Sequence, residues 1–145
     1  MLREPIYRTI SAYRYAIDRG WINDDKNIID WFNEVRNKDK KHYQLNYCSG
    51  MSIDAPSEVK LDKALINLKD KKFLFGLTSK YDEFIDLCCA INNWKPQYRT
   101  TNVTKTKKEI NQEDKHKLQE LLSGEINFYE EAVKIYNEKY KNFIK

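Results

Sequence analysis

One segment limits the folds open to this chain more than any other. Lys72-Phe-Leu-Phe-Gly-Leu77 is the one run that reads as a good β-strand. It is short, apolar and flanked by charge, the pattern of a strand buried on both faces, as in a parallel sheet. A lone strand has nothing to satisfy its backbone and needs sheet neighbours. The rest of the chain offers few, although Met1-Leu2 reads as the stub of another. The expected fold is mostly α with one or two short strands, and with an apolar face left poorly covered.

Elsewhere the apolar residues recur at helical spacing. A first helix is expected from Pro5 to Asp18, with Gly20 as its stop and Ile6, Ile10, Tyr13 and Ile17 as its apolar stripe. Asn27 to Arg36 reads as a second helix, with Ile28, Ile29, Phe32 and Val35 on one face. Tyr43 to Pro56 reads as a loop broken by Gly50 and Pro56. A third helix begins at Ser57, with Leu61, Ala64, Leu65 and Leu68 inward. Ser79 is expected to cap a fourth, with Asp82 completing a capping box and Tyr81, Phe84, Ile85 and Cys88 as the buried stripe. Lys95 to Glu109 reads as a loop, and Asn111 as the cap of a fifth helix with Leu118, Leu121 and Leu122 inward. A long last helix follows Gly124, where Ile126, Tyr129, Val133, Tyr136, Tyr140 and Phe143 form a packing surface rather than a cofactor box.

The 145 residues fit one domain with a real core. A net charge of +4 mildly favours anionic partners without choosing among a nucleotide, a sulfated glycan and nucleic acid. The basic residues are scattered among 22 acidic ones rather than gathered in one stripe, which argues against nucleic acid. No apolar run approaches the roughly 20 residues that span a bilayer. From its polar, Arg-bearing first residues no secretory signal is expected. Cys48, Cys88 and Cys89 are odd in number and lack metal-ligand spacing, which fits a reducing compartment and no metal site. As written, the chain is expected to be cytoplasmic.

The first fifteen residues hold the candidate binding site. Arg3 stands just before the proline that opens the first helix, and Ser11 follows eight positions later, off the apolar stripe. A helix N-terminus presents unpaired N–H groups and the positive end of a dipole, and both suit a phosphate. An arginine fork and a nearby hydroxyl would complete such a site. The same residues fit an ordinary amphipathic helix with a solvated serine. Lys105, Lys107 and Lys108 read either as a mobile basic loop over an anion or as a solvated loop. Of the two histidines, His116 is expected on a polar helix surface, and His42 follows a lysine run without marks of a base.

Leu2-Arg-Glu-Pro-Ile-Tyr-Arg-Thr-Ile-Ser-Ala-Tyr13 resembles the 3′-phosphate-binding segment of the PAPS-dependent sulfotransferases, most closely the heparan- and chondroitin-type carbohydrate enzymes. His42-Tyr-Gln-Leu-Asn-Tyr-Cys-Ser-Gly50 is similar to the family's Asn-x-Gln stretch, with His42 where asparagine is usual. Phe73-Leu-Phe-Gly-Leu-Thr-Ser-Lys-Tyr-Asp-Glu-Phe84 resembles its Gly-Leu-Thr-Glu segment, with Ser79 in place of the glutamate. Asn92-Asn-Trp94, Asn102-Val-Thr104 and a Tyr-rich last helix follow in the family's order.

The resemblance implies that Arg3 and Ser11 bind the 3′-phosphate of PAPS, or of its product adenosine 3′,5′-bisphosphate, with Arg8 in packing or support. Lys105 and Lys107 are candidates for the same nucleotide. It implies an incomplete α/β, P-loop-like sulfotransferase fold: a single domain, 1–145, corresponding to the C-terminal part of that domain. The 5′-phosphosulfate loop and the usual catalytic base lie upstream of such a segment, so no catalytic residue is assigned. The implied activity is transfer of sulfate from PAPS to a carbohydrate hydroxyl, the chain alone being inactive without a missing N-terminal segment or an oligomer partner. Family members in animals sit in the Golgi lumen, which is the compartment implied for a eukaryotic full-length enzyme. Two other functions remain open: a non-catalytic interaction protein derived from a sulfotransferase, and a basic helical module that binds nucleic acid.

Overall fold

The computed structural model describes residues 1–38, 43–52, 54–98 and 105–143. Seven α-helices run through them: α1 (Pro5–Asp18), α2 (Ile28–Lys38), α3 (Tyr43–Ser49), α4 (Ser57–Lys69), α5 (Tyr81–Asn92), α6 (Gln112–Leu121) and α7 (Ser123–Lys139). The expected mostly-α chain is therefore observed. The expected strand shrinks to one parallel bridge between Leu2 and Leu77, in which Leu2 N–H donates to Gly76 O at 2.7 Å and Thr78 N–H to Leu2 O at 2.7 Å. Only Phe75, Gly76 and Leu77 of the run are buried, while Lys72, Phe73 and Leu74 are exposed. The single bridge reaches the end of the run, and no other strand pairs with its first half among the described residues.

The helix ends follow local chemistry. Gly20 at φ +68° closes α1. Its N–H donates to Ile17 O, and the next one, of Trp21, reaches back to Ala16 O, the paired bonds that satisfy the last carbonyls of a helix. The Asn111 carboxamide accepts from Asp114 N at 2.7 Å and so caps α6 as expected. At α5 the expectation fails: the chain first makes a single 3-10 turn, Thr78–Lys80, and the helix starts at Tyr81 with no side-chain cap from Ser79. At α3 a helix replaces the expected loop. Seven residues are too few to hold a helix by themselves, so its packing on α4 and α7 holds it.

Two apolar clusters form the core. One joins α3, α4 and α7 to the bridge: Leu2, Leu45, Ala64, Leu68, Phe75, Leu77, Phe128, Ala132, Tyr136 and Tyr140 among others. The other joins α1, α2 and α6 through Ile10, Tyr13, Ile28, Trp31, Phe32, Ile110, Leu118 and Leu122. In α7 the face in the core is Glu125, Phe128, Ala132 and Tyr136. Of the predicted stripe, Tyr136 and Tyr140 are buried, Ile126, Tyr129 and Val133 pack partly buried against the two clusters, and Phe143 is exposed. Leu87 is the one fully buried residue of α5. Tyr81, Phe84, Ile85 and Cys88 are half-buried, and Phe73, Leu74, Ile91 and Trp94 are exposed. Among the described residues no helix is long and apolar enough to cross a membrane.

Candidate functional site

The mouth of α1 is built from three consecutive residues with different tasks. Successive side chains of an extended segment point to opposite sides. Leu2 is buried in the core, so Arg3 is directed away from it and is partly exposed. The Arg3 backbone is held by Gln44 of α3. Arg3 N–H donates to Gln44 Oε1 at 2.8 Å, and Gln44 Nε2 donates to Arg3 O at 2.8 Å. Glu4 then caps the helix, its carboxylate accepting from Ile6 N at 3.1 Å and Tyr7 N at 2.7 Å.

That cap corrects one expectation. Pro5 has no N–H, Ile6 and Tyr7 give theirs to the Glu4 carboxylate, and Arg8 N–H donates to Glu4 O at 2.9 Å. The first-turn amides thus have partners inside the chain, and an anion here meets side chains rather than free backbone N–H groups. Glutamate is not among the usual capping residues, which is why the sequence did not betray it. The Arg3 guanidinium and the Ser11 hydroxyl bond to no other described residue. Both lie outside the two apolar clusters, Ser11 half-buried on the flank of α1 that carries Tyr7 and Tyr15.

Arg8 faces inward. Its Nη2 lies 3.4 Å from Oε2 of Glu125, whose side chain is 0% exposed. Oε1 of the same carboxylate accepts from Leu45 N at 3.3 Å. Glu125 therefore ties α1, α3 and α7 together, and Arg8 acts as support.

The lysine loop lies at the other end of α1. Lys105 N–H and Thr106 N–H donate to the Asp18 carboxylate at 2.7 and 2.9 Å, and the Thr106 hydroxyl donates to it as well. The Thr106 hydrogen bond, above all, holds the Asp18 carboxyl below the usual carboxylate range. Arg14 donates twice to Lys108 O, at 3.0 and 2.6 Å. The Lys108 ammonium donates to the carbonyls of Asp24 and Lys26 and sits 5.4 Å from the centre of the Tyr13 ring. Lys108 is thus committed to the fold, whereas Lys105 and Lys107 are exposed. At 1.5 Å rise per residue, the fifteen steps from Arg3 to Asp18 separate the two ends by about 20 Å. The structure therefore does not gather Arg3, Ser11, Lys105 and Lys107 into one cluster.

His116 is exposed, 3.4 Å from Glu120. With Glu4, Tyr7, Ile10, Gln112 and Lys115 it lines a groove of about 540 Å³ between α1 and α6. A second hollow of about 520 Å³ continues it along Arg14, Ile110 and Asn111. A wider depression of about 850 Å³ lies beside Trp21 and Asp30. Neither Arg3 nor Ser11 lines any of these hollows. Among the described residues no group of His, Cys, Asp and Glu is placed to hold a metal ion. His42 and Asn102–Thr104 lie outside the described residues.

Gln44 and Glu125 are the structural supports that periodicity could not find, because a pattern of apolar spacing counts both as surface. Compared with known proteins, the chain matches no family model, no curated protein and no solved structure.

Proposed function

We propose that this chain carries the 3′-phosphate half of a PAPS site and serves sulfate transfer from PAPS to a carbohydrate hydroxyl. The observation that supports this reading is the Leu2–Tyr13 segment, in which an arginine with a pinned backbone precedes a helix that carries Ser11 half-buried, outside the apolar clusters. The Arg3 guanidinium offers a planar fork to phosphate oxygens, and the Ser11 hydroxyl a further donor. Their role is to bind and orient the donor nucleotide. Sulfuryl transfer, like phosphoryl transfer, depends on holding nucleophile and leaving group in line. No general base is assigned among the described residues. The acceptor is a sugar hydroxyl by the resemblance alone.

The test is calorimetric titration with adenosine 3′,5′-bisphosphate, with adenosine 5′-monophosphate and with single-stranded DNA. Binding of the bisphosphate, weakened by removal of its 3′-phosphate and about 10- to 100-fold by Arg3→Ala, supports the reading, since a hydrogen bond to a charged group contributes about 1.5–3 kcal/mol. Equal binding of both nucleotides, or of DNA alone, overturns it.

A further inference from the structure

We infer that Gln44 is the positioning residue for Arg3, acting as a one-residue substitute for a missing β-strand. This inference rests on the reading of Arg3 as a phosphate ligand. In an interior strand of a sheet, consecutive residues bond to neighbours on opposite sides. Leu2 and Arg3 do this with one real neighbour. Leu2 gives both backbone groups to the Gly76–Thr78 segment. Arg3 gives both of its own to the other side, where no strand runs and the Gln44 carboxamide stands instead.

A carboxamide carries one acceptor oxygen and one donor nitrogen a peptide's width apart, so it reads an N–H and a C=O of one residue as a second strand would. Asparagine is a methylene too short to take the same place, and glutamate has no donor for the Arg3 carbonyl. Gln44 is itself buried, 6% exposed. Its neighbour Leu45 is buried too, with its N–H on the Glu125 carboxylate. The clamp is thus mounted on the core, and the two free torsions that would let Arg3 swing are removed. The Arg3 side chain is partly exposed and makes no hydrogen bond to a described residue. A guanidinium on a fixed backbone loses less freedom when it closes on an anion, which is how preorganisation raises affinity.

Two measurements on the full chain separate the clamp from the ligand. Amide hydrogen exchange reads the first without any ligand. In Gln44→Met, which keeps the bulk and removes both hydrogen bonds, Arg3 N–H is expected to exchange at least 10-fold faster. Thr78 N–H, bonded to Leu2 O, should stay protected. Gln44→Ala serves as a second variant should the methionine perturb packing. Unchanged protection of Arg3 in both overturns the inference, and loss of protection at Thr78 and Leu45 as well marks a general loosening and also overturns it.

The second measurement is a double-mutant cycle on affinity for adenosine 3′,5′-bisphosphate. Gln44→Met is expected to weaken binding about 10-fold when Arg3 is present and not at all in Arg3→Ala. Equal weakening in both backgrounds, or none in either, removes the positioning role. If the unmodified chain fails to bind the bisphosphate, the phosphate reading falls and the role with it, while the exchange data still decide whether the clamp exists.

Discussion

Arg8 of α1 meets Glu125 in the first turn of α7, with the Glu125 side chain wholly enclosed and the Arg8 side chain 23% exposed. Removing one partner of such a pair strands a buried charge, which costs far more than the pair itself contributes. Arg8→Met should therefore lower stability by about 3 kcal/mol, the lower end of that range because Arg8 still touches solvent. Arg8→Met combined with Glu125→Gln should recover part of the loss, because the carboxamide carries no charge and its oxygen still accepts from Leu45 N. Urea midpoints of the single and double variants measure both, and an additive double variant would show that the pair is not coupled.

The fold's response to alkali follows from buried protons. Burial pushes the Cys48 thiol up to about 11 from 9.0. Burial likewise pushes the Tyr136 hydroxyl up to about 12 from 10.0. Between those values the folded chain keeps protons that the unfolded chain has released. The unfolded state then binds fewer protons, so stability falls as pH rises. The decline should begin near pH 9.0 and steepen past 10.0. Urea unfolding at pH 8 through 11 tests this, and Cys48→Ala should flatten the slope in the thiol's window. A neutral thiol is also a poor nucleophile. Cys48 should therefore resist alkylation at pH 8 until the chain is unfolded.

Asp18 anchors the lysine loop. Its carboxyl is held below the ordinary 3.8, so its contribution is present above that value and lost as the pH falls through the lower, folded one. Asp18→Ala should speed exchange of the Lys105 and Thr106 amides at least 10-fold at neutral pH, leaving the amides of Tyr13 and Ala16 protected. Acidifying the unmodified chain well below pH 3.8, through the lowered folded value, should do the same to those two amides. Failure of both treatments would mean that the loop is held elsewhere.

How much of this was legible in the chain depends on what each residue was counted as. The bounds of α1 are those read from Pro5 and Gly20, because both signals are local. The cap at Asn111 was likewise a local signal, read from the residue type alone. On α7 the expected stripe includes the core residues Tyr136 and Tyr140 but not Glu125, Phe128 and Ala132, and nothing in local spacing announces the partner of Glu125 at Arg8, 117 residues away. The helix at 43–49 was hidden for the same reason. It is short, and what holds it comes from Arg3, Asn67 and Glu125, all far from it in sequence. The strand at 72–77 was overread because apolar content was taken for pairing, and only its last residues find a neighbour. Of the candidate site, Arg3 and Ser11 stood out at once, while the Glu4 cap and the Gln44 clamp needed coordinates.

Gly76 packs against Phe84 so closely that a methyl group there would lie 2.4 Å from Cγ of the ring. The chain bends at this point from its parallel bridge toward α5, and the aromatic ring fills the space that a side chain would need. An alanine at 76 therefore requires the half-buried Phe84 ring to shift or to give way to a smaller side chain.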